Sequence, residues 1–258
     1  MKKILISSSC SALGANLIRH ILYEKLDYKI SAFDYISSEE YLKNVYYNMS
    51  CKFNFANIND SHTLNNIIKL DPPDIFVDLT SSQPSVELEK SMKNVGTYLL
   101  ISNYYDDNKI AKESMDIKNK SILRLPKLYG PRQFLPSPVT SLIAGSLLDQ
   151  KVTLNVAALQ EEYWMHVFDA HKNVRSMIDD PKPILNAYGK QCFSYLEIQN
   201  KINSITEKSS EVTYNDSLTL VPRDLKLQSC QQEFSLLDGL DQTIEWCDNN
   251  KWVFNKTQ

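Results

Sequence analysis

The chain has 258 residues, 43% of them hydrophobic and 23% charged, with a formal net charge of −3. That length buries a sizeable core, as one large α/β domain or one domain with a smaller appendage. The mildly acidic balance gives no reason to expect nucleic acid or an anionic membrane as partner, and no run of eighteen apolar residues is present to cross a bilayer. Cys10, Cys51, Cys192, Cys230 and Cys247 are scattered without metal-ligand spacing, and the four histidines do not cluster with them. A structural zinc site is therefore not expected, and reduced thiols in a cytoplasmic protein are.

Lys3-Ile4-Leu5-Ile6 reads as a buried strand, Ser7 to Gly14 as a loop, and Ala15 to Glu24 as a helix with Leu17, Ile21 and Leu22 on one face. A second strand, Lys29 to Phe33, is closed by Asp34, twenty residues after Gly14. This is the frame of a dinucleotide-binding unit, in which a glycine-rich loop meets a pyrophosphate and an acid bonds the adenosine ribose. Ser8 and Ser11 stand where the first two glycines are expected, and only Gly14 is kept. The serine run is read either as a phosphate contact or as a plain turn. Asp34 is read either as a ribose ligand or as a polar strand end.

Further strands are expected at Cys51–Phe55, Asp74–Leu79, Thr97–Ser102 and Ser121–Leu125. Helices are expected between them at His62–Leu70, Val86–Val95 and roughly Asp106–Ile117. Such alternation implies a parallel sheet with helices on both faces. From Gly130 the prolines Pro131, Pro136 and Pro138 interrupt the chain, and shorter, less regular strands and helices are expected beyond them. The expected architecture is α/β: a Rossmann-type, doubly wound parallel sheet over residues 1–130, with a small C-terminal α+β lobe over 131–258. The terminal helix of that lobe is expected to return to the main domain.

Several longer motifs carry a resemblance. Asn57-Ile58-Asn59-Asp60 follows the third strand, and Asp78-Leu79-Thr80-Ser81-Ser82 follows the fourth. Leu123-Arg124-Leu125-Pro126-Lys127-Leu128-Tyr129-Gly130-Pro131-Arg132-Gln133 spans the passage into the lobe, Trp164-Met165-His166-Val167-Phe168-Asp169 lies within it, and Gly239 to Trp246 forms its last helix. Together they resemble the extended short-chain dehydrogenase/reductase family, in particular its nucleotide-sugar epimerases and 4,6-dehydratases, nearly end to end.

The resemblance implies NAD as cofactor, with Ser8, Ser11, Leu13, Gly14, Asp34, Asn57, Ile58, Leu79 and Thr80 along it. NADP is disfavoured, because Asp34 would repel a 2′-phosphate. It implies Tyr105 as acid/base, Lys109 as the lysine that lowers its pKa, Ser102 as a substrate hydrogen-bonding group, and a nucleotide sugar as substrate. Glu113 falls where the family often has an acid. A second copy of the chain, or a larger complex, is the implied protein partner.

Departures from the family pattern are equally legible. Ser102 and Tyr105 are three residues apart, so the family's active-site loop is missing. Glu162 stands where an arginine commonly grips the substrate pyrophosphate, with Arg132 or Lys127 as candidate replacements. Two functional readings result: a divergent NAD-dependent enzyme on a nucleotide sugar, or an inactive family fold used as a regulatory or scaffold subunit. A module that holds a nucleotide without turnover is a third. Arg124 is read as meeting a ligand or, preferably, a buried acid such as Asp78. His166 and His171 are read as structural, and Trp164 and Trp246 as core anchors.

Overall fold

The computed structural model describes residues 1–35, 43–44, 51–83, 85–103, 106–188, 192–215, 228–230 and 232–254. The first half alternates as expected: β1 (Lys2–Ile6), α1 (Ala12–Tyr23), β2 (Tyr28–Asp34), β3 (Cys51–Phe55), α2 (Ser61–Leu70), β4 (Ile75–Asp78), α3 (Val86–Met92), β5 (Thr97–Asn103), α4 (Asp107–Lys112) and β6 (Lys120–Leu125). Then come β7 (Lys127–Tyr129), α5 (Pro138–Leu148), β8 (Val152–Leu154), β9 (Glu162–His166), α6 (Val167–Asp179), β10 (Ile184–Tyr188), β11 (Cys192–Phe193), α7 (Tyr195–Thr206), β12 (Val212–Tyr214), β13 (Gln228–Ser229) and α8 (Leu236–Asn249). A 3₁₀ turn over Lys251–Phe254 follows.

The main sheet runs β13-β10-β6-β5-β4-β1-β2-β3, every pair parallel. From β1 the chain winds outward through β2 and β3, then crosses to β4, β5 and β6 on the other side. This doubly wound order puts a topological switch between β1 and β4, where sheets of this kind bind ligands beyond their strand ends. Alternation along β1 explains the layering. Ile4 and Ile6 pack with Leu17 and Ile21 of α1 and Val174 and Met177 of α6. Leu5 faces the other way, with Leu64 and Ile68 of α2 and Leu88 and Met92 of α3.

The C-terminal half is divided between sheet and lobe. Its strands β10 and β13 extend the main sheet, and α6 covers the same face as α1. The remainder builds a second core from Tyr129, Trp164, Leu142, Tyr195, Ile198, Leu240 and Ile244, flanked by two small sheets. The buried face of α8 is spent in the second core, where Gly239 allows a close approach: a Cβ added to it would sit 2.3 Å from the Tyr129 hydroxyl. The later strands are short, as expected, but the helices are not: α5 to α8 span 11, 13, 12 and 14 residues.

The helix after β5 is shorter than its sequence pattern suggested. It covers six residues and is closed by tight turns over Glu113 to Met115, whose carbonyl oxygens at Glu113 and Met115 each accept from Lys120 Nζ at 2.5 Å. Among the described residues no helix is long and apolar enough to cross a membrane.

Candidate active site at the strand ends

The serine loop between β1 and α1 divides its work among its members. Ser7 is buried, donates to Asp78 Oδ1 at 3.0 Å and accepts from Leu79 N at 3.0 Å, tying β1 to β4 across the switch. Ser8 has φ +46°, the left-handed turn that a glycine adopts without cost. Ser11 is extended and does another job: its hydroxyl caps α1 by accepting from Gly14 N at 3.1 Å. Gly14 is fixed by close approach, since a Cβ there would lie 2.5 Å from Ser8 O and 2.9 Å from Ser9 Cα. At the helix start the amides of Ala12 and Leu13 have no acceptor among the described residues. An α-helix N-terminus of this kind favours an anion.

Asp34 closes β2 beside this loop. Its carboxylate accepts from Cys10 N at 2.9 Å and Tyr35 N at 2.8 Å, one bond to each oxygen. Burial pushes its pKa up, and the two backbone donors partly offset that. Each oxygen keeps lone-pair capacity for a further donor. Asn57 turns the chain towards α2 by accepting from Asn59 N, and Asp60 caps that helix through Thr63 N at 3.1 Å. Ser8, Asp34, Asn57, Ile58, Thr80 and Ser82 line one small cavity of about 170 Å³. Leu79, expected along the cofactor, lines neither this cavity nor the next; its side chain belongs to the core beneath α1. Its position after Asp78 makes it the last apolar residue beyond β4, and the core claims it.

A larger cavity of about 510 Å³ lies between the strand ends and the lobe. Leu13, Ser102, Asn103 and Lys109 line it from the sheet side, and Lys127, Trp164 and Tyr195 from the lobe. Ser102 is 1% exposed, and its hydroxyl has no partner among the described residues. Lys109 is half-buried on α4. Its ammonium makes no ion pair or hydrogen bond among the described residues, and burial, countered in part by Asp106 and Asp78, holds its pKa below the ordinary lysine value. Tyr105 lies outside the described residues. Another cavity of about 510 Å³ in the lobe is walled by Leu135, Ala144, Gly145 and Val152. Its lysine, Lys151, pairs with Glu211.

Three further residues take roles that sequence reasoning left open. Arg124 meets an acid, but the partner is Glu113, whose Oε1 accepts from Nε at 2.9 Å, and not Asp78. Glu113 is thereby spent on structure. Lys127 is in ion contact with Glu162 and donates to Tyr195 Oη at 3.0 Å. The partner of Asp78 is Lys112, a residue not singled out in advance. Both side chains are fully buried, 2.9 Å apart. The carboxylate ending the otherwise apolar strand Ile75–Asp78 signalled that a countercharge exists; its address, 34 residues further on, had no local signal.

No family profile and no curated protein matches the chain in sequence. Solved structures do match in fold. The dTDP-glucose 4,6-dehydratase of Bacillus anthracis, in complex with NAD, superposes with a TM-score of 0.81 at 14% identity, covering 100% of both chains. The UDP-glucuronic acid 4-epimerase of Bacillus cereus, in complex with UDP-glucuronic acid and NAD, gives 0.80 at 18% identity over 96% of this chain and 99% of that one. The UDP-glucose 4-epimerase of Thermotoga maritima, with UDP-glucose, gives 0.76 at 16% identity over 96% and 99%. At these identities the likeness is one of fold, and the fold is the Rossmann-type α/β architecture of nucleotide-sugar epimerases and dehydratases.

Proposed function

We propose that this chain is a divergent, NAD-dependent epimerase/dehydratase-type protein that works on a nucleotide sugar, with its cofactor and catalytic motifs much altered. One observation carries the reading. Residues picked out from separate stretches of sequence gather at two cavities of one sheet edge: Ser8, Asp34, Asn57, Ile58 and Thr80 at the smaller, Leu13, Ser102 and Lys109 at the larger. Ser8 lies in the loop before α1 and Leu13 in its first turn, so the start of α1 borders both cavities.

The residues present fit the adenosine half of NAD. Asp34 retains acceptor capacity for a ribose hydroxyl, Ile58 offers an apolar surface to a base, and the amides of Ala12 and Leu13 offer donors to a phosphate. NAD supplies hydride transfer when bound. In this proposal Ser102 orients a sugar hydroxyl, Tyr105 moves its proton, and Lys109 stabilises the phenolate so formed.

A second reading, an inactive subunit of a homodimer or larger complex, is favoured by the pairing of Glu162 with Lys127, which occupies a cation that would otherwise face a diphosphate. It is favoured too by the direct passage from β5 to α4, with three residues between Asn103 and Asp107.

Calorimetric titration with NAD and NADH, with NADPH as control, separates the two. Micromolar binding, lost in Asp34→Arg and Gly14→Trp, is the expected result and justifies a turnover screen of UDP- and dTDP-sugars. No heat and no thermal shift at millimolar cofactor would overturn the NAD reading for the isolated chain.

A further inference from the structure

The helix that carries Lys109 is too short to hold its own position. Six residues fall well below the length at which an isolated helix is stable, so its placement comes from its tethers. Asp106 caps its start through Asn108 N at 3.0 Å and Lys109 N at 3.2 Å. Asn108 Nδ2 donates to Ser81 O at 2.9 Å. At its last residue, Lys112 Nζ donates to Asp78 Oδ2 at 2.9 Å, Thr80 Oγ1 at 2.6 Å and Thr80 O at 3.2 Å. All three ammonium protons are thus used.

Asp78 is equally occupied. Its Oδ2 also accepts from Tyr98 Oη at 2.6 Å, and its Oδ1 accepts from Ser7 Oγ, Thr80 N and Thr80 Oγ1 at 3.0, 2.9 and 2.7 Å. A charged pair with no exposure survives only when its remaining sites are satisfied in this way. Burial by itself raises the Asp78 pKa, but Lys112 and the hydroxyl donors outweigh it and hold the carboxyl below its ordinary value. The side-chain tethers of Asn108 and Lys112, at Ser81, Thr80 and Asp78, land on the segment whose Thr80 and Ser82 line the smaller cavity, while Glu113 at the end of the helix is held by Arg124 of β6.

We propose that the Asp78–Lys112 pair, bridged by Thr80, is the positioning element that sets Lys109 at the larger cavity and links it to the smaller one. It does mechanically what a longer helix or an ordered loop would do. The inference rests on the reading of Lys109 as part of the active site. The charged groups around Lys109 are Asp106, which caps its helix, Lys112 on that helix, Asp78 from β4, and Lys127 on the lobe side of the cavity.

The test is the pH profile of Lys109 labelling by an amine-reactive reagent, read by peptide mass spectrometry on the full chain. It needs neither substrate nor cofactor, so it is independent of the NAD titration: absent cofactor binding defeats the functional reading and leaves this test standing. The Asp78→Leu/Lys112→Met double variant replaces the pair with apolar groups, an exchange that folds often tolerate. Thr80→Val removes only the bridging hydroxyl. In both, the Lys109 labelling midpoint is expected to move up into the ordinary lysine range while the chain still melts cooperatively. A midpoint unchanged or lowered in a folded double variant overturns the proposal, because losing the Asp78 and Lys112 charges without moving Lys109 does not raise it. If the double variant does not fold, an unchanged midpoint in Thr80→Val overturns it instead.

Discussion

Lys127, on the lobe wall of the larger cavity, stands in direct ion contact with Glu162 on the adjacent strand β9. The Lys127 ammonium also lies 5.0 Å over the Tyr195 ring. Glu162 is only 5% exposed and lies behind Lys127. A diphosphate entering here meets a cation already neutralised and a carboxylate behind it. Glu162→Gln keeps the shape and removes the negative charge behind Lys127. UDP affinity measured by calorimetry is expected to rise about tenfold, equivalent to roughly 1.4 kcal/mol. Unchanged UDP affinity in a folded Glu162→Gln variant would show that the diphosphate does not reach this wall.

The alternation of strands and helices up to β6 was legible because it depends on local periodicity and punctuation: Pro72-Pro73 after α2, and the apolar runs of β4 and β5. The return of β10 and β13 to the sheet was not, because parallel pairing joins residues far apart in the chain, as Ile122 with Ile184. The site divided along the same line. Ser8, Asp34, Asn57, Ile58 and Thr80 stand at or just after the ends of β1, β2, β3 and β4, which the parallel order brings to one side of the sheet. The partners of Asp78, Arg124 and Lys127 could not, since an ion pair leaves no periodic trace. Lys112 illustrates the point: on a short helix rich in charge it reads as a solvated residue, yet it is fully buried.

Gly14 offers a direct stability test. A methyl group there would stand 2.5 Å from the Ser8 carbonyl oxygen and 2.9 Å from Ser9 Cα, both backbone atoms that cannot rotate away. Gly14→Ala is expected to cost about 1–3 kcal/mol, the usual range for overpacking, despite the better helix propensity of alanine. The urea midpoint measures it. A variant as stable as wild type would mean that the serine loop yields easily and that Gly14 is not a packing requirement.

Ser8 leads to the opposite expectation. Its φ of +46° is unfavourable for a residue with a Cβ and natural for glycine. Ser8→Gly removes that local cost but loosens the unfolded chain, so it is expected to lie between neutral and about 1 kcal/mol more stable. Ser8→Val, with branching at Cβ, should lose about 2 kcal/mol in the same denaturation experiment. Equal stability of the glycine and valine variants would contradict the left-handed turn.

The buried histidines set the acid limit of the fold. His166 has no exposure and packs against the rings of Tyr129, Phe168 and Phe234 at 5.3, 4.9 and 4.6 Å. Burial holds its pKa down at about 4. His171, stacked on His20 at 4.3 Å, is held at about 3 by burial first and then by the charges of His20 and Lys172. In the unfolded chain both titrate at ~6.5. Below that pH the unfolded state binds protons that the folded state refuses, so stability is full above ~6.5 and falls as the pH drops. The decline continues down to the folded pKa values, about 4 for His166 and about 3 for His171. His166 alone then removes about 3 kcal/mol across its window. Asp78, whose pKa is lowered, loses its contribution only below the ordinary carboxylate value of ~3.9, so it does not confuse the measurement at higher pH. Urea midpoints between pH 7 and pH 4.5 (about the span of the effect) should fall less steeply for His166→Phe, which keeps a ring among the three aromatics, than for wild type. Parallel curves for the two proteins would mean that His166 is protonated in the folded state and that its apolar cage admits the charge.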